Sequence, residues 1–237
     1  MKLRLFLFFW IPAALFGQSE KAFDLYAEGL RSYYAANYDQ ALKKYNEAIQ
    51  IKPTHTGFLY NRGLCYMKLG RPETAAFDFR KIVSIDSNYA DAWFQLSVLA
   101  AGDKRYDEAM ELVSHALRIA PNDVNALSQQ GLLFYYQRRN EYAVQAYDHA
   151  ISVEPNNDQL YYKRGLVYMN LENYEAATDN FSKAFQLDQT NTLALEQRAT
   201  AYWKWNNLEA ACKDWSELLK RGVSRAQTPL ANYCNKK

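Results

Sequence analysis

The feature that most constrains this chain is a repeat with a period of 34 residues. Small residues recur at Gly29, Gly63, Ser97, Gly131, Gly165 and Ala199. An alanine ladder follows at Ala41, Ala75, Ala109, Ala143, Ala177 and Ala211. A third ladder is large and mostly aromatic: Tyr45, Phe79, Val113, Tyr147, Phe181 and Trp215. Ala48, Ile82, Ala116, Ala150, Ala184 and Leu218 form a fourth, and Pro53, Pro121 and Pro155 mark unit ends. Self-similarity at a fixed period is the signature of stacked supersecondary units. The six units read as 22–55, 56–89, 90–123, 124–157, 158–191 and 192–225.

Within a unit the apolar residues recur at helical spacing twice, as in Leu59, Gly63 and Tyr66, then Ala75, Phe79 and Ile82. A short breaker separates the halves, as in Leu69-Gly70-Arg71-Pro72. Each unit is therefore two antiparallel helices joined by a tight turn. The small residue lets the helices approach, and the aromatic residue of the second helix fills the space beside it. Glu73, Asp107, Glu141, Glu175 and Glu209 open second helices, where negative charge suits the positive end. Residues such as Asn122 and Asp123 stand where they can cap the next helix. Unit six departs from the pattern, with Arg221 and Val223 replacing an aliphatic residue and Pro. A terminal unit lacks a neighbour, so a polar change there reads as capping.

These residues resemble the tetratricopeptide repeat (TPR) family. The clearest copies are Leu59, Gly63, Tyr66, Ala75 and Phe79, and Tyr161, Gly165, Tyr168, Tyr174, Ala177, Phe181 and Ala184. The resemblance implies an all-α fold, a right-handed α–α superhelix (TPR solenoid) of six helix-turn-helix repeats. It implies a concave face lined by first helices. The positions that map inward are Tyr26, Tyr60, Phe94 and Tyr162, then Asn61, Gln95, Gln129, Lys163 and Gln197, and further along Trp203. Amides at regular spacing can pair with the main chain of an extended peptide, and aromatics supply rigid contact area. Arg62, Arg164 and Arg198 share one repeat position and would border such a groove. The competing account is that the aromatics pack within and between units and leave the groove shallow. The Lys and Asn that hold a peptide carboxylate in the chaperone-binding members correspond to Tyr26 and Leu30, so that subclass is not expected.

Residues 1–17 carry Lys2 and Arg4 and then 13 uncharged, mostly apolar residues. This is the shape of a secretory signal peptide, placed over residues 1–19 with the cleaved bond at Gly17–Gln18 or Ser19–Glu20. It is too short to span a bilayer comfortably. An uncleaved membrane anchor is the alternative. The expected destination is the periplasm, the envelope or the medium. Residues 226–237 read as a short basic C-terminal tail, with a partial extra helix over the last repeat as the alternative. The formal net charge of +2 gives no basic excess for nucleic acid.

No residue set points to catalysis. Three histidines and three cysteines show no metal-site spacing, so no metal or cofactor is expected. No Gly-rich phosphate loop is present. Cys212 and Cys234 can pair in an oxidising compartment and tie the tail down, with buried free thiols as the alternative. The expected function is a non-enzymatic scaffold of the cell envelope holding a protein or extended peptide. Two other readings compete: a self-associating structural module (a homo-oligomer), and a non-catalytic subunit of an envelope enzyme complex.

Overall fold

The computed structural model describes residues 13–234. Most of the expected signal peptide, residues 1–12, lies outside the described residues. Its remainder, 13–19, forms the first turns of α1 (Ala13–Tyr34).

The helical spacing read from the sequence is realised throughout. After α1 come α2 (Tyr38–Ile51), α3 (Thr56–Lys68), α4 (Pro72–Ile85) and α5 (Ala90–Gly102). Then follow α6 (Tyr106–Ile119), α7 (Val124–Tyr136), α8 (Asn140–Val153) and α9 (Asp158–Asn170). The array closes with α10 (Tyr174–Leu187), α11 (Thr192–Lys204) and α12 (Leu208–Lys220). The fold is all-α, and successive helices pair as helix–turn–helix repeats. Two compact units divide at Leu99 and Ala100, inside α5.

Local chemistry explains the boundaries. Asn37, Asp123, Asn157, Asn173, Asn191 and Asn207 each accept an amide hydrogen bond at a helix start. Pro72 occupies the first turn of α4, where its missing N–H costs nothing. Between paired helices one residue takes a left-handed conformation, and it recurs every 34 positions. It is Gly70 in one copy but Ala36, Lys104, Arg138, Glu172 and Asn206 in the others. The turn geometry is thus imposed by helix packing, since these side chains disfavour positive φ by about 1–2 kcal/mol.

In the first unit, residues up to Leu99, α1 packs on α2 and α3 on α4, with α2 against α3. Ala41, Tyr45, Phe58, Leu59, Phe79 and Ile82 are buried there. A Cβ added at Gly63 would lie 2.7 Å from the Phe79 ring. In the second unit the same relation holds at Gly165, 2.6 Å from Phe181. The spacing of 16 residues between the small residue and its aromatic partner is the packing rule of each unit. One core cluster of the second unit joins Leu127, Tyr147, Leu160 and Val167, and another joins Leu195, Trp215, Leu218 and Ala226.

The C-terminal end takes the alternative form read from the sequence, short helical turns over the last repeat. Residues 224–234 are not a free tail. A 3₁₀ turn (Ser224–Ala226), an α-turn (Gln227–Pro229) and a π-type turn (Leu230–Cys234) pack on α12. Ala226, Val223, Leu230 and Cys234 cover apolar surface around Trp215. A Cys212–Cys234 disulfide pins this cap to α12. Arg221 and Arg225 are paired with Glu217 and Glu196 rather than presented freely.

Candidate functional site

The candidate site residues are first-helix positions picked out by register in each of the two units. In the first unit, Tyr26 on α1, Tyr60 and Asn61 on α3, and Phe94 and Gln95 on α5 are all partly exposed. They do not stand free. Asn61 Nδ2 donates to Tyr26 Oη at 2.7 Å and to the Gly57 carbonyl at 3.0 Å. Gln95 Nε2 donates to Tyr60 Oη at 3.4 Å. Each bond spans 35 residues, so each repeat locks the corresponding residue of the one before. The ring of Tyr26 packs on Phe58 and Tyr45, and that of Tyr60 on Phe79 and Tyr89. Burial, aided by Tyr34 and opposed by the Asn61 bond, raises the Tyr26 pKa.

The second unit repeats the device with different chemistry. Lys163 Nζ donates to Ser128 Oγ at 2.8 Å, again 35 residues apart. Burial pushes the Lys163 pKa down. Tyr162 leans on Phe181. Its hydroxyl pKa is raised first by burial and then by the Glu196 charge, with Arg225 opposing. Gln129 and Gln197 remain partly exposed on α7 and α11, and Trp203 is exposed at 40%. The rings of Tyr26, Tyr60 and Tyr162 pack on neighbouring aromatic rings and remain partly exposed.

The three arginines are engaged in ion pairs between helices. Arg62 grips Asp78 with two bonds of 2.8 and 2.6 Å and reaches Asn46 at 2.8 Å. Arg198 does the same to Asp214, at 2.8 and 2.7 Å, and to Ser182. Arg164 binds Asn180 and Asp148. In each case the partners lie 16 residues ahead and 16 behind. Each arginine thus clamps its own second helix to that of the preceding repeat. Burial opposes the charge on Arg62, but the hydrogen bonds and charge of Asp78 outweigh it and raise its pKa. In the first repeat the signs are exchanged, with Glu28 paired to Lys44 at 2.5 Å. Sequence reasoning missed this role, although the common offset of 16 was present to be read.

Family models for TPR and tetratricopeptide repeats match residues 29–70, 58–89, 90–123, 131–172 and 158–191. The chain belongs to the tetratricopeptide repeat family. Among curated relatives of this TPR protein, rat (Rattus norvegicus) sperm-associated antigen 1 is 33% identical over 108 residues. That match covers 45% of this chain and 12% of the relative. The chain spans less than a third of the length of the curated relatives it matches. Among solved structures, that of Pseudomonas aeruginosa pilF superposes with a TM-score of 0.77 at 18% identity, covering 91% of this chain and 99% of that one. YrrB, described as a TPR protein with an unusual peptide-binding site, gives 0.61 at 20%, over 77% and 94% of the two chains. These structural likenesses concern the fold.

The repeat architecture of this TPR protein is that of a non-catalytic scaffold. Among the described residues no group of three His, Cys, Asp or Glu side chains is placed to hold a metal ion. His55 caps α3, its Nδ1 accepting the Phe58 amide at 3.3 Å. His149 contacts Asn122, and His115 lies beside Arg118. Cys65 is buried and donates to the Tyr38 carbonyl, and burial, then Asp39, raises its pKa to about 11. Such a thiol is a packing residue rather than a nucleophile. No described helix is long and apolar enough to cross a membrane.

Proposed function

We propose that this TPR protein is a non-enzymatic scaffold of the cell envelope that holds a protein or extended peptide on its first-helix faces. The observation that carries the reading is the constant 35-residue hydrogen-bond register of Tyr26–Asn61, Tyr60–Gln95 and Ser128–Lys163. Within each unit these bonds fix side chains of neighbouring first helices in place before any partner arrives. Preorganised side chains lose less entropy on binding than free ones. Asn61 spends its amide hydrogens within the protein and keeps its oxygen for a peptide N–H. Lys163, whose charge is disfavoured by burial, suits an acidic group on the partner. The peptide-binding site named for YrrB is in keeping with this use of the fold.

Export rests on two supports. Residues 1–19 have the basic start and apolar stretch of a signal. The Cys212–Cys234 disulfide suits an oxidising compartment, because cytosolic thiols are kept reduced. On this reading residues 22–225 form the six repeats of the exported protein.

The test is affinity capture from the native envelope with the wild type and with Tyr60, Gln95 and Tyr162 changed to Ala. Helicity of the variant is first matched to wild type by circular dichroism. The expected result is loss of the captured partner, with Lys163→Glu giving the same loss. Partners retained unchanged by both variants refute the reading. Mass spectrometry of the envelope-extracted protein tests export, with a start at Gln18 or Glu20 expected.

A further inference from the structure

A pocket of about 230 Å³ lies between α11, α12 and the C-terminal cap. Trp203, Trp215, Leu218, Ala226, Pro229 and Tyr233 give it apolar walls. Arg225, Ala226, Pro229 and Tyr233 all belong to the cap, so the pocket exists only while the cap is docked. The Cys212–Cys234 disulfide holds the cap next to Tyr233. The Tyr233 ring lies tilted against Trp203 and stacked on Trp215, with ring centroids 5.2 and 6.1 Å away. Even so, Trp203 and Tyr233 remain 40% and 41% exposed. Two aromatic rings are therefore ordered at the surface by a covalent tie, with much of their apolar area in water.

The lining selects the occupant. Three aromatic rings would suit a cation, but the Arg225 guanidinium lies among them. Arg225 and Glu196 pair at 2.5 Å and neutralise each other within the lining. A cation would meet Arg225 and an anion would meet Glu196, so a neutral group is favoured. The volume is below the roughly 300–1,000 Å³ of small-molecule sites, which argues for one side chain rather than a cofactor. Glu196 and Trp203 also belong to the first helix α11, so the pocket adjoins the first-helix face of the second unit.

We infer that this pocket receives one large apolar side chain, aromatic or aliphatic, of an extended peptide partner, and that the disulfide-pinned cap builds it. The inference rests on the first-helix binding reading and names an anchor residue for that partner. Reduction of the bond by two electrons from a dithiol, which becomes a disulfide in turn, yields the Cys212 and Cys234 thiols and frees the cap. Binding of the anchor is then lost.

The test uses the full chain and blocked tripeptides Ac-Gly-X-Gly-NH₂ with X as Phe, Leu, Lys or Glu. Indole N–H signals of Trp203 and Trp215 are followed by NMR and assigned with Trp→Phe variants. The Phe and Leu probes are expected to shift both signals saturably, and the Lys and Glu probes are not. The Cys212→Ser/Cys234→Ser variant is expected to bind the Phe probe about tenfold or more weakly. Tyr233→Ala, which retains the disulfide, is expected to do the same. No saturable shift with the Phe or Leu probe overturns the inference, as does stronger binding of the Lys or Glu probe. Full binding by the double-serine variant overturns the role of the cap. Because the probes are too short to follow the helix row, they fail or succeed independently of capture through Tyr60, Gln95 and Lys163.

Discussion

Removing Asp78 from its clamp is the sharpest test of how the repeats are joined. Asp78 is 1% exposed and receives two hydrogen bonds from Arg62. Asp78→Ala leaves the guanidinium largely enclosed, with Asn46 still accepting one bond. Breaking a fully buried pair from one side costs about 3–5 kcal/mol. Arg62 retains some water access, 17% of its side chain, and keeps its Asn46 bond, so we expect about 2–3 kcal/mol here. The double change Arg62→Leu/Asp78→Leu behaves differently. Repeat three carries Leu96 and Leu112 at these two registers, so the array already uses an apolar version. Replacing both partners by apolar groups is expected to be neutral within about 1 kcal/mol. The assay is amide hydrogen exchange, read on α3 and α4 with α9–α12 as an internal reference. Repeats unfold as neighbour-coupled units, so the loss should concentrate locally. The expected fall in protection on α3 and α4 is roughly 30-fold or more for Asp78→Ala. Protection unchanged in the single variant, or equally lost in the double one, refutes the clamp argument.

Two further outcomes follow from the packing and the caps. Gly63→Ala places a Cβ 2.7 Å from the Phe79 ring, so it is expected to destabilise by about 1–3 kcal/mol in urea unfolding. Adding Phe79→Val, which copies the Val113 of repeat three, should recover part of that loss, and a single variant as stable as wild type would contradict the close approach. Burial first, and the Lys52 charge second, hold the His55 pKa below its ordinary value, and only the neutral ring can accept the Phe58 amide. Its stabilising contribution is therefore complete above about pH 6.5 and is lost as pH falls through the lowered folded-state pKa. His55→Asn keeps a cap that does not titrate, so urea midpoints between about pH 8 and pH 5 should favour the variant increasingly on acidification, by up to about 1 kcal/mol. A constant difference across that range would contradict the capping role.

The repeat was legible because it depends on local rules. Helical spacing, turn residues and the small-to-aromatic offset of 16 all act within one unit, and six copies make each rule visible. The expectation that the second-helix aromatic fills the space beside the small residue is met at Gly63 with Phe79 and at Gly165 with Phe181. The inward row was placed on the first helices by register alone. Its internal bonds were not foreseen, because Asn61 to Tyr26 joins different units and depends on how far one helix slides along the next. The bonds of Arg62, Arg164 and Arg198 to second helices were not foreseen for a related reason. A position one residue along a helix is turned by about 100°, so a small rotation decides whether a side chain meets a groove or a neighbouring helix.

The sequence by itself determined the all-α repeat, its 34-residue period and the identity of the packing pairs, since those follow from periodicity within a unit. Tertiary structure alone decided three matters: that the arginines clamp second helices, that Asn61 and Gln95 are bonded to tyrosine hydroxyls and Lys163 to a serine hydroxyl, and that the turns of residues 224–234 bury apolar surface around Trp215. Each depends on apolar or polar surface left over once neighbouring helices have stacked. That remainder is a property of the assembled repeats and is carried by no single segment of the chain.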